Sequence, residues 1–154
     1  MKTLKTTLSI LAIVILAACS KEDDSPLDAK TQLLTRSAWI PISQTISPEL
    51  IMFGDTIRDF LQDDCSKDDF MVFNATGSGY LDEGPTICNS FDPQKQPFQW
   101  NFAANQSLLV MDKTDIYEIQ QLDEETLSYS SQYDGAIIGG EAGVIYTITE
   151  TFKH

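Results

Sequence analysis

The sequence predicts an all-β protein: an eight-stranded antiparallel up-and-down barrel or curled meander with one or two short helices near the N-terminus. Eight short segments are rich in β-branched, aromatic and alternating apolar residues. Turn residues separate them at short spacing, so antiparallel pairing of consecutive strands is the simplest arrangement, and curling the sheet protects its edges. One domain is expected, because 154 residues with 42% hydrophobic residues are enough for a single core.

The N-terminus is organised as a secretion signal and not as a folded element. Two lysines among the first five residues precede an apolar run over residues 8–16, which is too short to span a bilayer comfortably. The run ends in Leu-Ala-Ala before Cys19, which resembles the lipobox of bacterial lipoproteins. This resemblance implies a signal peptide over residues 1–18, lipidation of Cys19 and attachment to a membrane through acyl chains. The alternative is an ordinary signal peptide with an incidental cysteine.

Residues 19–26 follow as the lipidated cysteine and an acidic tether. The segment is polar and ends at a proline, so it cannot bury apolar surface and is predicted to be flexible. Its Lys21-Glu22-Asp23-Asp24 run resembles the surface-export signal of some Gram-negative lipoproteins, and Ser20 after the cysteine fits passage to the outer membrane. The resemblance implies an outer-membrane protein that faces the cell surface. A periplasm-facing protein with a plain solvated linker is the alternative.

The folded part is expected to begin near Leu27 with a helix and a strand. Asp28 is suited to cap a short helix that ends near Leu34. The segment 39–46 then predicts the first strand, closed by Ser47-Pro48. Pro41 has no N–H to donate, so it should lie at an edge or a bulge.

The segment between the first strand and the next one predicts a short helix. Ile57, Phe60 and Leu61 have helical spacing, which fits a helix that covers one end of the barrel. From Asp68 onwards the apolar period becomes two. The remaining seven predicted strands are residues 70–73, 80–82, 98–102, 108–111, 116–119, 127–130 and 144–149.

A series of spacings links these strands: Cys65, Asp68-Asp69, Phe73-Asn74, Asp82-Glu83-Gly84, Cys88, Asp92-Pro93-Gln94, Trp100, Tyr117-Glu118-Ile119 and Leu127. The series resembles the lipocalin-like domain of many secreted bacterial lipoproteins. It implies that residues 27–154 form a lipocalin-like barrel. Lipocalins proper begin their first strand with Gly-x-Trp. This chain has Ser37-Ala38-Trp39 there, so it departs from the motif at the glycine but retains the tryptophan. The resemblance implies that Trp39 plugs one end of the barrel.

Cysteine usage predicts one disulfide. With Cys19 taken by lipid, Cys65 and Cys88 remain as an even pair in an exported chain. The bridge would join the loop before the first hairpin to the loop after it. A redox-active pair is the alternative, although the Cys-x-x-Cys spacing of such pairs is missing.

Catalytic and nucleic-acid functions have little support in the sequence. The only histidine is His154 at the C-terminus, and Gly77-Ser78-Gly79 is not a nucleophile elbow, so no enzyme activity, metal site or cofactor is expected. Pairs of neighbouring acidic residues could in principle catalyse glycoside hydrolysis. On the loops of an acidic chain, however, such acids are expected to be solvated and to have no catalytic role. A formal net charge of -13 argues against nucleic acid as a partner.

Two binding functions remain. In the first, the barrel holds a small lipophilic ligand against inward aromatic rings, and the segment around Trp100 is central because Phe98 and Phe102 share its face. Tyr129 and Tyr146 are the further ligand-binding candidates. In the second, these rings simply fill the core. The loops then bind another protein or a glycan, and the domain is an interaction module at the cell surface.

Overall fold

A computed structural model describes residues 28–59 and 64–154 of the chain. The predicted signal peptide, Cys19 and the acidic tether all lie outside the described residues. Among the residues described, no helix is long and apolar enough to cross a membrane. In chain order the elements are α1 (Ala29–Leu34), β1 (Ile40–Met52), β2 (Asp55–Asp59), a 3₁₀ turn (Asp64–Ser66), β3 (Phe70–Phe73), β4 (Ser78–Asp82), β5 (Lys95–Ala103), β6 (Leu108–Met111), β7 (Asp115–Leu122), β8 (Thr126–Asp134), α2 (Gly135–Ile138) and β9 (Ile145–Lys153).

All nine strands form one antiparallel sheet in the order β2-β1-β9-β8-β7-β6-β5-β4-β3. From β3 to β9 every strand pairs with its neighbour in sequence, and β1 then pairs with β9. The sheet curls into a half-barrel, which confirms the predicted all-β curled meander. Short turns account for this topology, because a chain of strands joined by tight turns pairs most simply with its own neighbours.

The half-barrel is joined at one end and open at the other. Trp39, just before β1, forms an isolated bridge with Met71 of β3. The two residues exchange backbone hydrogen bonds of 2.8 and 2.9 Å. The later part of β1 pairs with β2 instead, and no pairing between that part and β3 is found among the described residues. The inner face of the sheet is therefore accessible at the end where β1 and β3 diverge.

The predicted helix around Ile57 is wrong where it is described. Residues Asp55–Asp59 form β2, and Ile57 lies opposite Leu50 of β1. Because Leu50 is fully buried, the apolar contact across the hairpin outweighs the helical spacing. Phe60 and Leu61 lie outside the described residues. The second α-helix is α2, near the C-terminus.

Proline positions in β1 follow the backbone hydrogen bonding. Pro41 lies at the register shift between β1 and β9, which confirms its predicted place at a bulge. β1 does not end at Ser47-Pro48 as predicted but runs on to Met52. The pairing with β2 shifts register between Thr45 and Leu50, so the missing N–H of Pro48 interrupts no regular ladder there.

The predicted N-terminal helix is confirmed. The side chain of Asp28 accepts a hydrogen bond of 3.0 Å from the backbone N–H of Thr31 and a second one of 2.7 Å from the Thr31 hydroxyl. α1 then places Leu34 in the core. The backbone carbonyl of Leu34 accepts a hydrogen bond of 2.9 Å from the indole N–H of Trp39.

Two apolar clusters cover much of the inner face of the sheet. The larger one includes the fully buried residues Leu34, Trp39, Leu109 and Leu127 and closes the joined end of the half-barrel. The ring of His154 lies 3.8 Å from that of Trp39, between centroids. The smaller cluster packs the β1–β2 hairpin against β9 and α2, and its buried members are Ile46, Leu50 and Tyr146.

Candidate functional site

The aromatic strand β5 has the predicted inner face. Phe98, Trp100 and Phe102 are buried or half-buried, whereas Gln99 and Asn101 are exposed. This alternation follows from the period of two along a strand. The ring of Trp100 lies 5.4 Å from that of Phe102, edge to face. The three aromatic side chains therefore form one row along the interior.

Trp100 is held tightly by the protein itself. Its indole N–H lies 3.1 Å from the carbonyl oxygen of Asn74 and 3.0 Å from that of Ser78, and donates to both. Its backbone N–H donates to the carbonyl of Gly77 at 2.7 Å. The indole thus fastens the β3–β4 turn to β5, and its one polar group is already satisfied.

Trp100 and Phe102 also line a wide cleft at this end of the molecule. The cleft has a volume of about 740 Å³ and lies between the start of α1 and two turns, residues 75–77 and 103–106. Apart from the two aromatic rings its lining residues are small or polar, and it opens broadly to solvent. We call it the turn cleft. An open surface of this kind buries little of a small apolar molecule.

A second and more apolar cleft lies on the inner face of the sheet near its open end. Its volume is about 230 Å³. We call it the half-barrel cleft and define it by Met71, Leu81, Phe98, Met111 and Tyr117. These five side chains come from five successive strands, β3 to β7. No single segment of sequence therefore contains the cleft.

The ring of Phe98 reaches this cleft because the neighbouring strand has a glycine opposite it. Phe98 pairs with Gly79 of β4. A Cβ atom at Gly79 would lie 2.4 Å from the Phe98 ring, closer than atoms approach. The missing side chain gives the ring its place above β4.

The five predicted ligand-binding residues lie in different surroundings. Trp100 and Phe102 line the turn cleft and Phe98 lines the half-barrel cleft. Tyr129 is buried in the larger cluster, with 2% of its surface exposed, and Tyr146 belongs to the smaller cluster. Only Phe98 takes part in the half-barrel cleft. Their ligand-binding role stays a prediction.

The other residues of the half-barrel cleft were not among the predicted site residues. Met71 and Leu81 face the interior as a cross-strand pair, and Tyr117 pairs with Leu109 in the same way. The available signal was the alternation within each predicted strand. That signal gives the face of a residue but not its distance from the open end.

A polar group lies deeper on the same inner face. Glu150 of β9 pairs with Tyr129 of β8 on one side and with Gln44 of β1 on the other. The Tyr129 hydroxyl donates to Oε2 of Glu150 over 3.5 Å, a long hydrogen bond. Burial raises the pKa of Glu150, although hydrogen bonds from the side chains of Gln44 and Tyr129 act in the opposite direction.

The tyrosines beside Glu150 are also shielded from water. The rings of Tyr117 and Tyr129 lie 4.7 Å apart between centroids. Burial is the main cause that raises the pKa of each hydroxyl, and the charge of Glu150 adds to it. Both tyrosines are therefore neutral at physiological pH, and Glu150 is the only member of this trio with an acidic group that can ionise in that range.

The predicted disulfide is confirmed. Cys65 and Cys88 are bonded, with their Cα atoms 5.2 Å apart. The bond joins the 3₁₀ turn before β3 to the long connection between β4 and β5. As predicted, it fastens the loops on either side of the first hairpin.

Acidic side chains gather next to this disulfide. Burial raises the pKa of Asp69, and the charges of Glu83, Asp68 and Asp82 raise it further. Asp68 accepts a hydrogen bond of 2.9 Å from the backbone N–H of Thr86. Within residues 28–59 and 64–154, no group of three or more His, Cys, Asp or Glu side chains is placed to hold a metal ion. Asp68 therefore acts here as an acceptor that helps to order the connection between β4 and β5.

The C-terminal histidine packs at the joined end of the half-barrel. Nδ1 of His154 lies 2.6 Å from the hydroxyl oxygen of Ser37 and 3.0 Å from the carbonyl oxygen of Ala38. Its ring stacks on Trp39. These contacts hold the end of β9 against the start of β1.

Neither a scan against protein-family models nor a search of curated proteins found a match to this chain. The fold and the geometry of the inner face thus define the class of protein: an antiparallel β half-barrel with a small apolar cleft near its open end.

Proposed function

We propose that this protein is an exported, membrane-anchored lipoprotein with a lipocalin-like half-barrel that binds a small molecule with an apolar body. The half-barrel cleft carries this proposal. Phe98, Met111 and Tyr117 supply aromatic and thioether surface there, Met71 and Leu81 add flexible apolar surface, and the lining is completed by Gln96, Pro97, Asp112 and Asp115. Small-molecule sites are concave and mostly apolar with a few polar groups, and this cleft combines its apolar side chains with one amide and two carboxyl groups.

The size of the cleft limits the ligand. A volume of about 230 Å³ lies below the usual range for small-molecule sites, which starts at about 300 Å³. It suits a short acyl or alkyl chain or a single ring. Methionine contributes to the fit because its unbranched thioether adapts to irregular shapes.

The proposal predicts that filling the cleft abolishes binding. Leu81→Trp places an indole in the half-barrel cleft, and a neutral probe with one short alkyl chain, octanol, should then bind at least tenfold more weakly, because the apolar volume is gone. Leu81→Phe should give a smaller loss. The measurement is a calorimetric titration of the purified mature protein.

The matched control is Ile116→Trp. Ile116 is exposed on β7, so this variant adds the same indole outside the cleft and should bind the probe as the unmodified protein does. Equal binding by Leu81→Trp and the unmodified protein, with both folded, would contradict the proposal.

We further propose that the anchor is the lipidated Cys19, at the outer membrane and facing the cell surface, with a periplasm-facing protein as the alternative. The N-terminal sequence supports the lipid anchor, and the disulfide is in keeping with a non-reducing compartment. Cys19→Ala should abolish incorporation of labelled fatty acid and leave the precursor uncleaved. Labelling of the variant at the normal level would rule out this anchor.

A surface interaction module is the second candidate function. Its supporting observation is the tip of the β1–β2 hairpin, where Phe53 is fully exposed and Ile51 is 66% exposed. Apolar side chains at a protruding tip are typical of contacts with another macromolecule. If a broad panel of apolar molecules fails to bind while Phe53→Ser removes a protein or glycan partner, this function replaces the first.

A further inference from the structure

We infer that the ligand carries a positively charged amine next to its apolar body, and that Glu150 with the rings of Tyr117 and Tyr129 receives this cation. The inference rests on the proposed function, because the apolar body occupies the half-barrel cleft. It adds a chemical class, a cationic amphiphile, and a second group of binding residues.

Glu150 faces the interior although it is an acid. On β9 it alternates with Thr149 and Thr151 and shares its face with Ile148 and Phe152, both members of the apolar clusters. Its cross-strand partner Tyr129 is almost fully buried. An ionised carboxylate in such surroundings is costly unless a cation or several hydrogen bonds compensate for the lost water.

The protein supplies no cation for this carboxylate among the described residues. The four ion pairs found there involve Arg36, Arg58, Lys67 and Lys95, and none includes Glu150. The groups that face Glu150 are neutral: the Gln44 amide from β1 and the Tyr129 hydroxyl from β8. A cationic ligand would thus meet a carboxylate that none of these four ion pairs involves.

The tyrosine rings connect this carboxylate to the cleft. Tyr117 lines the half-barrel cleft and also a cleft of about 240 Å³ to which Ser131 and Tyr133 contribute. The Tyr117 ring lies 4.7 Å from that of Tyr129, whose hydroxyl donates to Glu150. A molecule in the half-barrel cleft therefore contacts the first member of a row that ends at the carboxylate.

Aromatic rings beside an acid are suited to an alkylammonium group. A cation over the face of a tyrosine ring is attracted by the ring's quadrupole, more strongly where water is excluded. The same chain has such a contact elsewhere, because Nζ of Lys95 lies 4.3 Å from the centre of the Tyr80 ring. Asp112 and Asp115, at the rim of the half-barrel cleft, add negative potential that favours the approach of a cation.

The test compares three ligands that share one alkyl chain: octyltrimethylammonium, octanol and octanoate. Calorimetric titration of the purified mature protein should give tenfold or tighter binding of the ammonium than of octanol, and the weakest binding for octanoate. In Glu150→Gln the ammonium should bind no better than octanol, while octanol binding is unchanged. Glu118→Gln, which neutralises an exposed acid of β7, should keep the full preference.

The pH dependence gives a second readout. As the pH falls through the raised pKa of Glu150, the carboxyl becomes neutral, and the preference for the ammonium should disappear in the unmodified protein. In Glu150→Gln the ratio of the two affinities should not change with pH over that range. Tyr117→Leu removes the ring but keeps apolar surface in the cleft, so it should weaken binding of the ammonium more than binding of octanol.

The outcomes separate the two proposals. If octanol and the ammonium bind equally to the unmodified protein and Leu81→Trp blocks both, the cation site is overturned and the apolar site stands. If none of the three ligands binds, the proposed function itself fails. An ammonium preference that survives in Glu150→Gln, with Glu118→Gln as reference, also overturns the assignment of the cation to Glu150.

Discussion

Trp39→Ala should lower the free energy of unfolding by about 3–5 kcal/mol, the range for truncating a buried aromatic side chain. Trp39 has no exposed surface and lies in the larger apolar cluster. It also donates an indole hydrogen bond of 2.9 Å to the Leu34 carbonyl and stacks on the His154 ring. Alanine leaves a cavity, an unsatisfied carbonyl and an unsupported histidine at the same place.

Trp39→Ala should lower the stability for a second reason besides packing, because Trp39 lies where the half-barrel is joined. Its backbone pairs with Met71, the bridge that joins the start of β1 to β3. Chemical denaturation followed by circular dichroism measures the loss. Ile42→Ala, at a half-exposed position of β1, is the control and should cost about 1 kcal/mol or less. A similarly small loss for Trp39→Ala would contradict the assignment of Trp39 as the plug of the joined end.

Removing the disulfide is the second change with a large expected effect. The double variant Cys65→Ser, Cys88→Ser should lower the free energy of unfolding by about 3 kcal/mol, as the chain-entropy account gives for a loop of this size. The bond spans a separation of 23 residues, and without it the unfolded chain gains conformational freedom. The far-ultraviolet spectrum should keep its β-sheet shape, because every strand of the sheet is paired independently of the bond.

Reduction of the unmodified protein provides the control for this prediction. Dithiothreitol should bring the stability of the unmodified protein to that of the double variant and leave the double variant unchanged. A double variant as stable as the oxidised protein would show that the bond contributes nothing to folding. Loss of the sheet spectrum would show instead that the fold depends on the bond.

The elements predicted well are those whose cause lies within a few residues. The Asp28 cap, the bulge at Pro41 and the inner face of β5 each follow from one side chain or from a period of two. The meander follows in the same way from the turns between strands. Such features depend little on the rest of the chain, so the sequence alone specifies them.

The hairpin of β1 and β2 was missed because its cause is a contact across the hairpin. Helical spacing of three apolar residues over so short a segment is weak evidence, and the contact of Ile57 with the Leu50 cluster decides in favour of the strand. The continuation of β1 past Pro48 has the same kind of cause, a local shift in strand register. Neither the contact across the hairpin nor the register shift can be seen in a short window of sequence.

The half-barrel cleft could not be predicted from the sequence for a related reason. Its lining comes from five strands, and the curl of the sheet decides which of their inward residues lie near the open end. Glu150 gave no signal either, because a glutamate in a strand is usually on the solvent face. Only the register with Tyr129 and Gln44 places its carboxylate inside.

The central claim is that a small molecule occupies the half-barrel cleft, and methionine methyl signals test it directly. Met71 and Met111 line the cleft, whereas Met52 packs in the smaller apolar cluster. The mature protein labelled with ¹³C at methionine methyl groups is titrated with octyltrimethylammonium and, separately, with octanol. We predict saturable shifts of the Met71 and Met111 signals with the Met52 signal unchanged. Saturable shifts of Met52 alone, or no saturable shift of any methionine, would contradict the claim.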